Sequence, residues 1–314
     1  MKVIVPLALL VAVAALADPI ISLTENLKAS ENENIQPAPA PPPPKPLERL
    51  VRLTVRVTGN GEDAYLELPL PQSDDHQTIV EEKLLSRGFH VEEELRDGNR
   101  LAILTYPRLQ GPKRITYEFR VQTRSTKVEV PPAPVATGEP SEEDWPWLRP
   151  TKQIQSSSPL IREKLITYAT PRLEAGERDA IRIAWDLAAT GYNRKPNGSR
   201  TVLKATRVGH ASDIGLDRLF TTFLRTSGVP ARPVIGVQVG KLKNRKHLAR
   251  WVEVKSGGDW LPMSVPRDEY GRLRARYVKL AHGDRPFIVR RGVESLSFRW
   301  KLDRVPELME ASAR

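Results

Sequence analysis

The 314-residue chain contains no cysteine, which excludes disulfides, thiol nucleophiles and zinc–thiolate sites together. Histidine is scarce as well, with five in all. His76 and His90 have no second ligand at metal spacing, so both are expected on the surface and neither a metal nor a cofactor is expected. Long apolar runs are equally scarce. One, residues 3–17, follows Lys2 and ends at Asp18-Pro19. It is shorter than the ~20 residues of a membrane-spanning helix. Ala15 and Ala17 stand where a signal peptidase accepts small residues. Residues 1–23 therefore read as a signal peptide, or as an N-terminal anchor if the run extends through Ile20, Ile21 and Leu23. Either reading predicts export. An exported chain without cysteine suits a bacterial envelope, periplasmic or held at the membrane by its N-terminus.

What the chain has in quantity is positive charge and proline. Lysine and arginine number 49 against 38 acidic residues, a net charge of +11. Such a surface favours anionic neighbours, or simply keeps the protein solvated. Nucleic acid is not an expected partner, because no aromatic platform is interleaved with the basic residues. Of the 28 prolines, many fall in "ENENIQPAPAPPPPKP". Residues 24–46 are expected to form an extended polyproline spacer with no core of its own.

A period of two follows. In "LVRLTVRV", Val51, Leu53, Val55 and Val57 alternate with polar residues, and in "ITYEFRV" Ile115, Tyr117, Phe119 and Val121 do the same. With "AYLELPLP" and "RLAILTY" between them, residues 47–124 predict an antiparallel β-sandwich. Residues 125–158, rich in proline, serine and acidic residues, predict a linker whose Trp145 and Trp147 pin it onto a neighbouring domain. The period then becomes helical. Ile161, Leu165 and Tyr168 share one face, and Ile181, Ala184, Trp185 and Ala188 another, with Gly191 as the expected C′ residue. Leu216, Leu219, Phe220, Phe223 and Leu224 form a third face, closed by Gly228 and Pro230. Strands "PVIGVQV", "RWVEVKSGGDWLPM" (a hairpin around Gly257-Gly258), "RYVKL", "PFIVRR" and "ESLSFRW" complete a second domain, residues 159–301. Residues 302–314 read as a tail. The fold class expected is α+β: an antiparallel β-sandwich followed by helices packed on an antiparallel sheet.

The order of these motifs resembles the transglutaminase-like domain of the papain-like superfamily. That family shows Gly-x-Cys-x-Asp at a helix start, Leu-Arg-x-x-Gly-Ile-Pro-Ala-Arg after it, then His-x-Trp-x-Glu and Trp-x-x-x-Asp on strands. Here the first element is Gly209-His210-Ala211-Ser212-Asp213. The second is Leu224-Arg225-Thr226-Ser227-Gly228-Val229-Pro230-Ala231-Arg232, nearly intact. The third is Ala249-Arg250-Trp251-Val252-Glu253 and the fourth Trp260-Leu261-Pro262-Met263-Ser264. Ala211, Ala249 and Ser264 stand at the cysteine, histidine and aspartate positions. The resemblance implies a degenerate domain without thiol chemistry, because the thiolate, its general base and the orienting carboxylate are all replaced.

More narrowly, residues 50–300 resemble an inactive transglutaminase family that usually carries seven transmembrane helices, absent here. The resemblance implies an association with ATP-grasp peptide ligases and with a separate integral membrane protein. It also implies a retained cleft that binds a peptide or protein segment. His210, Ser212, Asp213, Arg232, His247, Arg250, Trp251 and Trp260 are the candidate binding residues around it. A rebuilt hydrolase or transferase set from Ser212, His247 and Asp213 is the alternative. It requires a changed backbone, since Ser212 is turned ~100° from its neighbour on a helix and His247 lies ~7 Å along the strand from Ala249. A basic protein that binds anionic envelope polymers is a third reading. On purely structural grounds Ser212 and Asp213 cap a helix, Arg232 pairs with a carboxylate such as Asp213, and the helix N-terminus is open to an anion.

Overall fold

The computed structural model describes residues 46–133, 140–240 and 248–304. The expected signal or anchor, nearly all of the proline-rich spacer and His247 lie outside these residues. All described residues belong to one compact unit. Among them no helix is long and apolar enough to cross a membrane.

The period-two segments fold into two antiparallel sheets packed face to face. The strands are β1 (Leu47–Asn60), β2 (Ala64–Leu70), β3 (Gln77–Leu85), β4 (His90–Arg96), β5 (Asn99–Tyr106) and β6 (Gln110–Thr123). Every second residue of β1, from Val51 to Val57, is buried, and so are Ile115, Tyr117, Phe119 and Val121 of β6. Alternation of this kind points one face inward and leaves the other to water.

A short strand β7 (Thr126–Lys127) leads to α1 (Trp145–Leu148). Three helices follow: α2 (Pro159–Glu174), α3 (Ala180–Thr190) and, after β8 (Asn193–Ser199), α4 (Val202–Val208). Then come β9 (His210–Ala211), α5 (Asp213–Thr226), β10 (Ala231–Gln238), β11 (Leu248–Ser256) and β12 (Asp259–Met263). A 3-10 turn, Val265–Arg267, precedes β13 (Arg272–Leu273), β14 (Tyr277–His282), β15 (Val289–Arg291) and β16 (Ser295–Asp303). The fold is α+β, as the sequence pattern predicts.

Helix α5 is the centre of the second part. Its buried residues include Leu216, Leu219, Phe220, Phe223 and Leu224, the face read from the sequence. Burying each contributes roughly 1.5–3 kcal/mol. They pack on α3 through Trp185 and on the sheet through Val252, Val254, Leu261 and Met263. That sheet runs β12-β11-β10-β14, all antiparallel, with the hairpin at Gly257-Gly258. Gly191 closes α3 in a right-handed conformation, not the left-handed one expected of a C′ glycine. A side chain there would meet the Leu187 carbonyl at 2.6 Å.

Four expectations change. The strands at the end of the chain do not join the second part. β16 lies beside β1 over nine residue pairs and β15 beside β2, so the segment assigned to residues 159–301 returns to close the sandwich. Residues 302 and 303, expected in a tail, belong to β16. Residues 125–158 are no free linker among their described parts: β7 pairs with β13, Ser256 donates to the Pro131 carbonyl, and Lys255 pairs with Asp144. Trp147 packs against Trp260 and His282, as pinning requires, whereas Trp145 is 56% exposed. Finally, His76 is not a surface residue. It is 6% exposed, with Nε2 against the Tyr277 carbonyl at 2.7 Å.

The two parts share one core. Ile235 and Val237 of β10, and Val278 and Leu280 of β14, belong to the same apolar cluster as β1, β2, β5 and β6.

Candidate functional site

The start of α5 is where a family nucleophile would stand. Ser212 is the N-cap, accepting from the Gly215 N–H at 3.3 Å and donating to the Ser199 carbonyl at 3.3 Å. Both roles hold its hydroxyl to the backbone, as capping predicts. Ala211 precedes the cap in β9, paired in parallel with β8, and is 0% exposed. Its methyl packs on Gly215, where an added Cβ would lie 3.1 Å from it. Position 211 is thus inside the helical core rather than at a cleft. Asp213 is the first helical residue and is 55% exposed. Its carboxylate takes both Nε and Nη2 of Arg194 at 2.7 and 2.8 Å, and Nη1 of the same arginine donates to the Pro266 carbonyl. The helix N-terminus, expected to be open to an anion, therefore already carries the chain's own carboxylate. His210 is half-buried beside it, with Nδ1 making no hydrogen bond among the described residues.

The strand residues divide between two faces of the sheet, because successive side chains of β11 point opposite ways. Val252 and Val254 face α5. Ala249 and Trp251 lie on the reverse, in a separate apolar cluster with Val234, Leu273 and Tyr277. The six-membered ring of Trp251 covers Gly236, where a Cβ would come within 2.4 Å of it. Arg250, two residues before Val252 on β11, lies on the α5 side. Burial and the neighbouring Arg218 hold its guanidinium below the ordinary arginine value.

Ser264 returns to α5. It is 0% exposed and its hydroxyl donates to Asp217 Oδ1 at 3.3 Å, joined there by the Val265 N–H at 3.2 Å. Burial pushes the Asp217 carboxyl up to about 7, against the opposing pull of Arg267, Ser264 and Val265. Asp217 was not singled out from the sequence. Its spacing of four from Asp213 on one helix was the available signal, but only the fold covers it.

Arg232 does not pair with Asp213. Its Nε and Nη2 reach Glu253 Oε2 at 2.8 and 2.7 Å, across the β10–β11 register pair. Its guanidinium also lies 4.0 Å from the centroid of the Trp260 ring. Lys279 completes the group, 3.1 Å from Glu253 and 2.9 Å from Asp74. Burial alone would raise the Glu253 carboxyl, but Lys279 and Arg232 outweigh it and hold the group below the usual carboxylate range. A cavity of about 350 Å³ opens on this face, lined among others by His76, Asp74, Glu253, Trp260 and Lys279. So the structure gathers Arg232, Trp251 and Trp260 on one side of the sheet, and Ser212, Asp213 and Arg250 on the other. Among the described residues no cluster of His, Asp or Glu is arranged to hold a metal ion.

A capped central helix leading into a hairpin, packed on an antiparallel sheet, defines the class of this domain. Residues 166–265 match the Transglutaminase-like superfamily, and the chain carries a transglutaminase-like domain. Among solved structures, a candidate cysteine protease from Cytophaga hutchinsonii has the same fold. The two align with a TM-score of 0.62 and 14% identity, over 83% of this chain and 91% of that one. A candidate protease from Parabacteroides distasonis aligns with a TM-score of 0.27 and 9% identity, over 69% of this chain and 64% of that one. No curated protein matches the chain significantly.

Proposed function

We propose that this protein is a non-catalytic transglutaminase-like module of the bacterial cell envelope that binds a peptide or protein segment without turning it over. The observation that carries the reading is the state of the α5 N-terminus. The chain has no cysteine, Ala211 is packed in the core, Ser212 is spent as a cap, and Asp213 is neutralised by Arg194. Among the described residues no group there is placed to attack a carbonyl, and Ser264 is wholly buried against Asp217. A scaffold of this kind keeps surfaces for recognition while lacking the groups for covalent catalysis.

Export by the N-terminal segment, a membrane-associated or periplasmic location, a separate integral membrane partner and work beside an ATP-grasp peptide ligase all belong to this proposal. The resemblance of residues 50–300 supports the last two. The test is mass spectrometry of a defined peptide mixture incubated with the full chain and an added primary amine. Peptides retained by the protein and recovered with unchanged mass are expected. Cleaved or amine-adducted products would overturn the non-catalytic reading and favour a rebuilt hydrolase or transferase.

A further inference from the structure

The cavity of about 350 Å³ on the sheet face away from α5 is acidic, in a protein whose net charge is +11. Asp74, Asp75, Glu253 and Asp259 line it, and Lys279 is the one lysine or arginine among the described lining residues. The acids come from separate parts of the fold. Asp74 and Asp75 lie between β2 and β3, Glu253 on β11 and Asp259 at the start of β12.

Two of these carboxylates are satisfied inside the protein. Glu253 accepts from Arg232 on one oxygen and from Lys279 on the other. Asp74 accepts the His76 and Gln77 N–H groups on Oδ1 and pairs with Lys279 through Oδ2. The carboxylates of Asp75 and Asp259 are exposed and have no hydrogen bond or ion pair among the described residues. A third unmatched acceptor is buried. His76 lines the cavity and is 6% exposed. Its Nε2 stands 2.7 Å from the Tyr277 carbonyl, which only accepts, so the ring proton sits on Nε2 and Nδ1 keeps a lone pair. That Nδ1 has no donor among the described residues, and a buried acceptor without one is costly.

A ligand that complements this lining donates hydrogen bonds and carries positive charge. Among the described residues no three His, Asp or Glu side chains converge to hold a metal ion, so the acids suit a larger cation. The rest of the wall is apolar: Val128, which is 41% exposed, with Leu261, Pro262, Leu273 and the ring of Trp260. A basic head on a hydrocarbon stem matches both halves of the cavity. Arg232 already lies 4.0 Å from the Trp260 centroid, so carboxylates rather than the ring hold the incoming charge.

We infer that the cavity between the β2–β3 loop and β12 binds the basic side chain of a peptide, with Asp75 and Asp259 as counter-ions and Val128, Trp260 and Leu273 against its stem. This rests on the peptide-binding reading above and adds the chemistry of the peptide and the face that takes it. The overall charge of the protein repels such a peptide, so capture depends on a local acidic site.

The experiment is fluorescence anisotropy on the full chain with three peptides, each labelled at the N-terminus and amidated: tetralysine, tetraarginine and tetraglutamine. Asp75→Asn and Asp259→Asn remove the unpaired carboxylates, and Val128→Trp fills the cavity. Glu163→Gln removes an equal charge from an exposed position on α2. Circular dichroism checks that the variants fold. Tetralysine binding that weakens about tenfold or more in Asp259→Asn and in Val128→Trp, and is unchanged in Glu163→Gln, is the expected result. Binding of both basic peptides supports the site for either head group, and binding of one alone assigns the head. Equal losses in Asp259→Asn and Glu163→Gln would overturn the site in favour of diffuse charge. Unchanged binding in Asp259→Asn, Asp75→Asn and Val128→Trp would place the peptide elsewhere and overturn the site. Equal binding of tetraglutamine and tetralysine would overturn the cation while leaving peptide binding intact. If no peptide binds, thermal stabilisation by cadaverine in wild type and not in Asp259→Asn would keep the cation and overturn its peptide source. Its absence would overturn the site, and the peptide reading is then decided by the retained-peptide experiment above.

Discussion

Ser264 donates its hydroxyl to Asp217 across 3.3 Å, inside the protein and out of contact with water. The strand position that would carry an orienting aspartate thus holds a donor, and the acid stands on the helix. Asp217 has its folded-state value raised from 3.8 to about 7, chiefly by burial. The folded state holds this proton more tightly than the unfolded chain does. Its contribution to stability is fully present below about pH 3.8 and is lost as pH rises through about 7. Asp217→Asn keeps an acceptor for Ser264 and Val265 without the charge. We expect it to melt near wild type at about pH 3.8 and above wild type at pH 8, measured by calorimetry. Destabilisation at pH 8 with little change at acid pH would show that the carboxylate is needed charged.

Glu253 is held between Arg232 and Lys279, and both partners are largely buried. Glu253→Gln leaves buried Arg232 without its counter-ion and Lys279 with Asp74 alone, and the expected cost is about 3–5 kcal/mol in urea unfolding. A loss below about 1 kcal/mol, as for an exposed pair, would contradict the burial described here.

The chain end is structural. A stop after residue 286 removes β15 and β16 and uncovers the edges of β1 and β2. Loss of Trp300 and Leu302 also opens the sandwich core. We expect the truncated chain to lose its cooperative melting transition and its near-ultraviolet circular dichroism. An intact transition at an unchanged temperature would argue that 159–301 folds apart from the sandwich.

Much of this was legible in the sequence, for physical reasons. The alternation from Val51 to Val57 admits one face inward, and the three-four spacing from Leu216 to Leu224 admits one helix face. Ser212 before an apolar helix reads as a cap because a serine there has an unpaired backbone N–H to satisfy. What was not legible depends on partners distant in the chain. "ESLSFRW" has the same pattern whichever sheet it joins, and only pairing with β1 decides. Arg232 finds Glu253 because the β10–β11 register places them opposite each other, which local pattern does not encode. The motif alignment set Ala211, Ala249 and Ser264 in one site. Strand alternation puts Ala249 behind the sheet, and the β8–β9 pairing puts Ala211 in the core.

The claim that the chemistry is absent from the α5 N-terminus, and that position 211 is core, is tested most directly by thiol alkylation. In a chain with no native cysteine, Ala211→Cys and Asp213→Cys each introduce a single thiol. Iodoacetamide labelling followed by mass spectrometry gives the rate for each. The account predicts rapid labelling at 213 and labelling at 211 slower by about a hundredfold or more, since a core thiol reacts only when the structure opens. Equal, rapid labelling at both positions would place Ala211 at an open cleft and contradict the account.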